Sequence, residues 1–328
     1  MKISNYQADC DIYSSSVFDE YFRGLRVGYF DIESTGLSPR RCSMVLAGLV
    51  FPDDGKYIAR QYFAEDPEEE PAVIAALLSD LTSLDVIVTY NGCRFDVPFL
   101  EKRMEINGMD HVDLPYQLDL YRLVRYHSDI GNFTPNLKQK TLEDFLGLWS
   151  ERSDEIDGKE SVRLYYQWLD TRDEEIREII CLHNRDDILQ LARLMAVIVK
   201  TDFHAAMTDF GFPCRDTIIT DLILRDDAIS ISGVQTGEPV DYVFYGREGL
   251  EYNFSSADAG FDIRAALNER DGVVFADLSP SGIQWPEDPS LVGSLLMLKD
   301  QGKVNNRAVN LFARALIERI QESWITEK

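Results

Sequence analysis

Three groups of side chains along this sequence could do chemistry together. The first is Asp31-Ile32-Glu33, at the end of an apolar run over residues 27–32. Side chains alternate along a strand, so the two carboxylates face the same way. Like charges that close repel unless a cation lies between them, and such oxygen ligands suit magnesium or manganese. The second is Asp96, which follows the strand-like run ending at Tyr90-Asn91 and opens a helical pattern. The third is His183 with Asp187, four positions apart and therefore on one face of a helix. That face otherwise carries Ile176, Ile179, Ile180 and Leu191. An acid on an apolar stripe costs free energy unless it meets a partner or a metal. Asp186, turned roughly 100° away on a 3.6-residue helix, is expected to be less buried than Asp187. Taken singly, each group has a plainer account. Asp31 and Glu33 suit a solvated strand end, Asp96 a helix N-cap, and His183 a structural core histidine packed on Ile179 and Ile180.

The elements that must position these groups alternate between strand and helix. Residues 27–32, 43–51, 57–63 and 85–90 have strand character, and 43–51 is apolar throughout, as in a strand buried on both faces. Asp53-Asp54-Gly55 is a hairpin turn signal. Helical spacing appears over 72–84, where Val73, Leu77, Leu78 and Leu81 recur, and over 98–106. A short strand at 117–120 leads into a helix through Tyr126, and helices follow at 137–148, 162–169 and 174–199. The order predicts a mixed sheet flanked by helices, an α/β domain. Beyond about residue 200 the pattern becomes short alternating segments at 228–234, 240–245, 250–255, 261–267 and 272–277, separated by turn residues. Residues 208–225 read as a transition, and 307–324 as a closing amphipathic helix. The expected domains are 1–205 and a smaller α+β appendage, 206–328, in which no catalytic motif is evident.

Composition narrows the classes further. With 45 % hydrophobic and 27 % charged residues over 328 positions, the chain has a globular balance. The apolar run at 42–52 falls well short of the roughly 20 residues a bilayer span needs. No basic flank leads into an apolar core near the start, so no secretory signal is expected. Cys10, Cys42, Cys93, Cys181 and Cys214 are scattered without a CxxC pair, which fits a reducing compartment and argues against disulfides and a zinc site. A cytoplasmic protein is the simplest expectation. The formal charge is −24, and both sides of residue 200 are net acidic. That lowers the expectation of nucleic-acid binding unless bound metal reverses the local field.

Taken in order, Phe30-Asp31-Ile32-Glu33-Ser34-Thr35-Gly36-Leu37-Ser38-Pro39, then Thr89-Tyr90-Asn91-Gly92 with Phe95-Asp96-Val97-Pro98-Phe99-Leu100, then His183-Asn184-Arg185-Asp186-Asp187-Ile188-Leu189 resemble the three exonuclease motifs of the DEDD class in the RNase H-like superfamily. Their wording is similar to that of the YprB-like RNase H-like exonuclease family of bacteria, as are Asp119-Leu120-Tyr121-Arg122 and the run from Leu137 to Glu143. The resemblance spans about residues 25–200. It implies an RNase H-like fold in which Asp31, Glu33, Asp96 and Asp187 bind two Mg2+ or Mn2+ ions. His183 stands where one form of the class has a tyrosine, and would orient or deprotonate the attacking water, a role suited to an imidazole. Thr35, Asn91, Arg94, Lys138, Lys140 and Arg185 are candidate substrate contacts. The expected activity is metal-dependent 3′–5′ exonucleolytic hydrolysis of single-stranded or frayed DNA or RNA. The alternatives are a structure-selective metal-dependent endonuclease or RNase, and a catalytically weak module that recruits protein partners. No membrane association is expected.

Overall fold

The computed structural model describes residues 1–8, 13–148, 156–246, 249–280, 282–286 and 288–326. The chain divides into two compact units, one of residues 1–19 and 23–201, the other of 20–22 and 202–328.

The first unit is built on a six-stranded sheet. Its elements in order are β1 (Lys2–Gln7), α1 (Ser16–Phe22), which runs across the division, β2 (Val27–Ser34), β3 (Met44–Asp53), β4 (Lys56–Phe63), α2 (Glu70–Leu81), β5 (Val86–Thr89), α3 (Asp96–Ile106), β6 (Tyr116–Asp119), α4 (Leu120–His127), α5 (Gln139–Phe145), α6 (Gly158–Thr171) and α7 (Glu174–Leu194). The strand order is β1-β4-β3-β2-β5-β6. β2 runs parallel to β5 and β5 to β6, and the other pairs are antiparallel. This is the mixed sheet flanked by helices that the sequence predicts. β1 and α1 were not anticipated: Lys2–Gln7 alternates half-buried and exposed residues and forms the sheet's outer strand against β4.

β3 shows why the strands sit where they do. Its first eight residues are buried, since both faces of the sheet are covered. Phe30, Ile32, Ala47 and Leu49 pack with Val73, Leu77, Phe99 and Leu100 on the α2–α3 side. Leu46 and Phe63 pack with Tyr165, Trp168, Ile176 and Ile180 on the α6–α7 side. The β3–β4 hairpin turns at Asp54 (φ 45°) and Gly55 (φ 79°). Two successive positive φ angles define the type I′ turn that matches strand twist.

One buried ion pair ties this layer together. Glu70, 2 % exposed, receives the Arg103 guanidinium through Nε at 2.8 Å and Nη2 at 2.5 Å. It also accepts the Met44 N–H at 2.7 Å and the Asn107 amide at 3.2 Å, while Arg103 reaches the Pro39 carbonyl at 2.9 Å. The start of α2, the side of α3 and the loop closing β2 onto β3 are thereby fixed to one another.

In the second unit, α8 (Phe203–Phe210) precedes a six-stranded antiparallel sheet of β7 (Phe212–Cys214), β8 (Thr217–Leu224), β9 (Ala228–Gln235), β10 (Tyr242–Tyr245), β11 (Leu250–Phe254) and β12 (Gly260–Ala266), in the order β10-β11-β12-β9-β8-β7. A smaller sheet holds β13 (Asn268–Arg270), β14 (Val273–Asp277), β15 (Leu291–Val292), β16 (Leu295–Asp300) and β17 (Lys303–Val304), and α9 (Asn306–Thr326) follows. The stretch 208–225, expected as a transition, instead contains the end of α8, β7 and β8. Ile219, buried on β8, pairs with Gly233 of the next strand, β9.

Removing one partner of a buried, multiply bonded pair leaves the other charge uncompensated, at a cost of about 3–5 kcal/mol. Glu70→Ala is therefore expected to lower the unfolding free energy in urea by about that amount. A loss of only about 0.5 kcal/mol, the size of an ordinary surface substitution, would show that Glu70–Arg103 does not hold the layer.

Candidate metal centre

Strand parity decides which side chains of β2 meet α7. Phe30 and Ile32 belong to the α2–α3 core, so Asp31 and Glu33 emerge on the opposite face. There Asp31 lies opposite Gly48 and Glu33 opposite Leu46 on β3. α7 packs on β2 and β3 from this side. His183, 4 % exposed, places Nε2 3.5 Å from Glu33 Oε1 and 3.4 Å from Asp187 Oδ2. Donor atoms of Glu33, His183 and Asp187 all lie within 4.8 Å of one another. Asp96 arrives from α3. Phe95, not Asp96, is the N-cap residue, without a side-chain cap bond. The Asp96 carboxylate instead crosses to β2 and accepts the Ile32 N–H at 3.2 Å.

The expectation for the two consecutive acids of α7 is reversed. Asp186 is the buried one, at 7 %, whereas Asp187 is partly open. α7 is enclosed around most of its girth, so burial does not follow a single stripe. Ile179, assigned to that stripe, is 42 % exposed.

The electrostatics follow from this crowding. Burial pushes the Asp31 carboxyl well above the ordinary range, and the charges of Asp96, Asp187 and Glu33 push it further, against one hydrogen bond from Asn184. Burial likewise raises Asp96 to about 7, with Asp119 and Glu33 adding to the rise and backbone N–H groups opposing it. The acids act on one another, since the charges of Asp96, Asp187 and Glu33 all raise Asp31. Carboxylate oxygens with one imidazole are a hard donor set, and a divalent cation is the group whose charge fits it.

The turn that carries Asp96 is held by Asp119, 1 % exposed. Its carboxylate accepts the N–H groups of Asn91 (2.8 Å) and Cys93 (3.2 Å) while also capping α4 through Tyr121 (2.9 Å). Asn91, at φ 63°, thus contributes its backbone here. Thr35 is engaged with Ser43, donating its N–H at 2.9 Å and accepting through Oγ1 at 3.0 Å. Gln139 donates to the Asp187 carbonyl at 3.1 Å, which brings the first turn of α5, with Lys138 and Lys140 beside it, next to the cluster. Lys138 is exposed, and Lys140 donates to the Ile156 carbonyl at 2.8 Å. Arg94 is exposed, with Nη2 3.4 Å from the Tyr126 hydroxyl. Arg185 is not brought to the carboxylates. Its guanidinium stacks on Tyr6 of β1, 4.7 Å from the ring centre.

The family described as the RNase_H superfamily matches residues 28–199, the stretch that contains all of these groups. The chain belongs to the RNase H superfamily. An 89-residue segment of this RNase H-like chain is 34 % identical to a DNA polymerase of Methanocaldococcus jannaschii, covering 25 % of the chain and 5 % of the polymerase. The family B DNA polymerase of the hyperthermophilic archaeon Pyrobaculum calidifontis superposes with a TM-score of 0.43 at 23 % identity, over 53 % of this chain and 24 % of that one. This chain therefore spans a small fraction of either relative. Among the described residues, no helix of the RNase H-like protein is long and apolar enough to cross a membrane. Cys42, Cys93, Cys181 and Cys214 are free thiols, and Cys10 lies outside the described residues.

Raised carboxylate pKa values make stability fall with rising pH. An unfolded aspartate titrates near about 3.9, whereas folded Asp96 titrates at about 7. Between these values the folded state holds more protons, so its advantage is lost as pH rises. In EDTA the melting temperature should drop from pH 5 to pH 8, and Asp31→Asn should lessen the drop and melt higher than the parent at pH 8. Mn2+ should raise the parent's melting temperature more at pH 8 than at pH 5. Parallel profiles for parent and variant would contradict the charge crowding described here.

Proposed function

We propose that this RNase H-like protein is a two-metal-ion 3′–5′ exonuclease acting on single-stranded or frayed DNA or RNA, and that within the superfamily it belongs with the YprB-like exonucleases. The observation that carries this reading is the convergence of β2, α3 and α7. They bring donor atoms of Glu33, His183 and Asp187 within 4.8 Å of one another, and the charges of Asp96, Asp187 and Glu33 all bear on the buried carboxyl of Asp31. Membership of the superfamily supports a nuclease, and the partial likeness to a DNA polymerase supports a nucleic acid as substrate.

In this reading the four carboxylates hold Mg2+ or Mn2+. When bound, the ions supply Lewis acidity toward the scissile phosphate and an acidified water. His183 Nε2, which faces Glu33 and Asp187, accepts the proton of the attacking water in its neutral form. Exposed Lys138 and Arg94 and the neighbouring Lys140 meet phosphates of the strand. Thr35 and Asn91 shape the two loops that flank it. Arg185, committed to Tyr6, is left out of this set. The catalytic domain is taken as residues 1–205, with 206–328 as an appendage.

The test uses end-labelled DNA and RNA with Mg2+, Mn2+ or EDTA, with products resolved by length. Stepwise shortening from the 3′ end, abolished by EDTA and by Asp31→Asn or Asp187→Asn in folded protein, is expected. Early internal cuts would replace this reading with the endonuclease, and no cleavage of any substrate would leave the partner-binding module. His183→Ala should lower the maximal rate by about 10²–10⁴ at an unchanged far-ultraviolet spectrum. An unchanged rate with a lower melting temperature would make His183 structural.

A further inference from the structure

Across the α7-facing side of the sheet, Asp31 of β2, Gly48 of β3 and Gln61 of β4 lie directly opposite one another in register. Gly48 has no side chain, and Asn184 of α7 occupies the space that leaves. A Cβ on Gly48 would sit 2.3 Å from Asn184 Oδ1, well inside van der Waals contact. Glycine inside a strand marks such close approaches. Asn184 is fully buried and Gln61 is 1 % exposed. From its slot Asn184 touches both neighbours: Nδ2 donates to Asp31 Oδ2 at 3.1 Å, and Oδ1 accepts from Gln61 Nε2 at 2.9 Å.

The direction of this relay is fixed at its far end. Gln61 Nε2 also donates to the Cys181 carbonyl at 2.8 Å, and a carbonyl can only accept. The amino group of Gln61 must therefore face both Cys181 and Asn184. That turns the Asn184 oxygen toward Gln61 and its amino group toward Asp31. One oxygen of Asp31 is thus held by a donor whose orientation is set two residues away. Among the described residues no hydrogen bond reaches its other oxygen, Oδ1.

We propose that Asn184 is a positioning residue for metal binding. Aligned by Gln61 and admitted by Gly48, it fixes the Asp31 carboxylate so that Oδ1 is presented to the cation. The proposal rests on the metal-dependent reading above, and concerns residues to which that reading gives no role. Partners that orient ligands from behind typically change metal affinity or activity by about 10–100-fold when removed. A residue needed only for packing between helix and sheet would change stability and leave metal affinity alone.

The experiment titrates Mn2+ into the full-length protein, following the free-ion signal by electron paramagnetic resonance. It is combined with kcat and KM on a labelled oligonucleotide and with thermal melts. Asn184→Ala should weaken Mn2+ binding by about 10–100-fold and lower kcat at subsaturating metal, with KM for the oligonucleotide unchanged. Gly48→Ala should weaken Mn2+ binding in the parent and have no further effect in the Asn184→Ala background. Gln61→Met, which keeps the volume and removes the donors, should weaken it in the same direction and serves if Asn184→Ala does not fold. Parental Mn2+ affinity in folded Asn184→Ala or Gln61→Met, or an undiminished effect of Gly48→Ala without Asn184, would overturn the positioning role and leave the metal reading standing. A parent that binds no Mn2+ would overturn both.

Discussion

Carboxylates held close together in a protein interior repel, and burial makes each harder to ionise. In the first unit this repulsion is the feature around which the other parts are arranged. Asp31 feels Asp96, Asp187 and Glu33 together, so no one of these acids can be understood alone. The cluster persists because its members come from elements held in place by other forces. β2 is clamped between β3 and β5, α3 is tied to α2 through Arg103 and Glu70, and α7 packs over the sheet through Ile180 and Cys181. Apolar burial and one ion pair thus supply the stability against which the charges are assembled.

Parity links the core to the site. Phe30 and Ile32 face α2 and α3, and so Asp31 and Glu33 must face α7. Shifting β2 by one residue would exchange the two sets and bury the acids in the apolar layer. The turn after β5 shows the same economy. Asp119 caps α4 and gathers the N–H groups of Asn91 and Cys93 with one carboxylate, so the loop that leads to Asp96 is set by the end of β6.

Much of this was legible in the sequence because it depends on short spacings. Asp31 and Glu33 two apart on a strand, His183 and Asp187 four apart on a helix, and the apolar run of β3 report periodicities of the backbone itself. What escaped depends on contacts between distant segments. The burial of Asp186 over Asp187 reflects a helix enclosed on several sides, which a one-stripe picture does not describe. β1 gains its strand character from a partner, β4, some fifty residues away, that local patterns cannot reveal. Gly48 was a visible signal within an apolar strand, yet its purpose appears only when Asn184, far along the chain, is seen in the space it leaves. Arg185, beside the histidine in sequence, faces the β1 edge because a helix turns about 100° per residue.

The central claim is that Asp31, Glu33, Asp96 and Asp187 form one divalent-cation site. Anomalous X-ray diffraction from crystals grown with Mn2+ tests it most directly. The account predicts two manganese peaks, each bound by oxygens of these four residues, with His183 beside them. Well-ordered carboxylates in the same crystals with no manganese between them would contradict it.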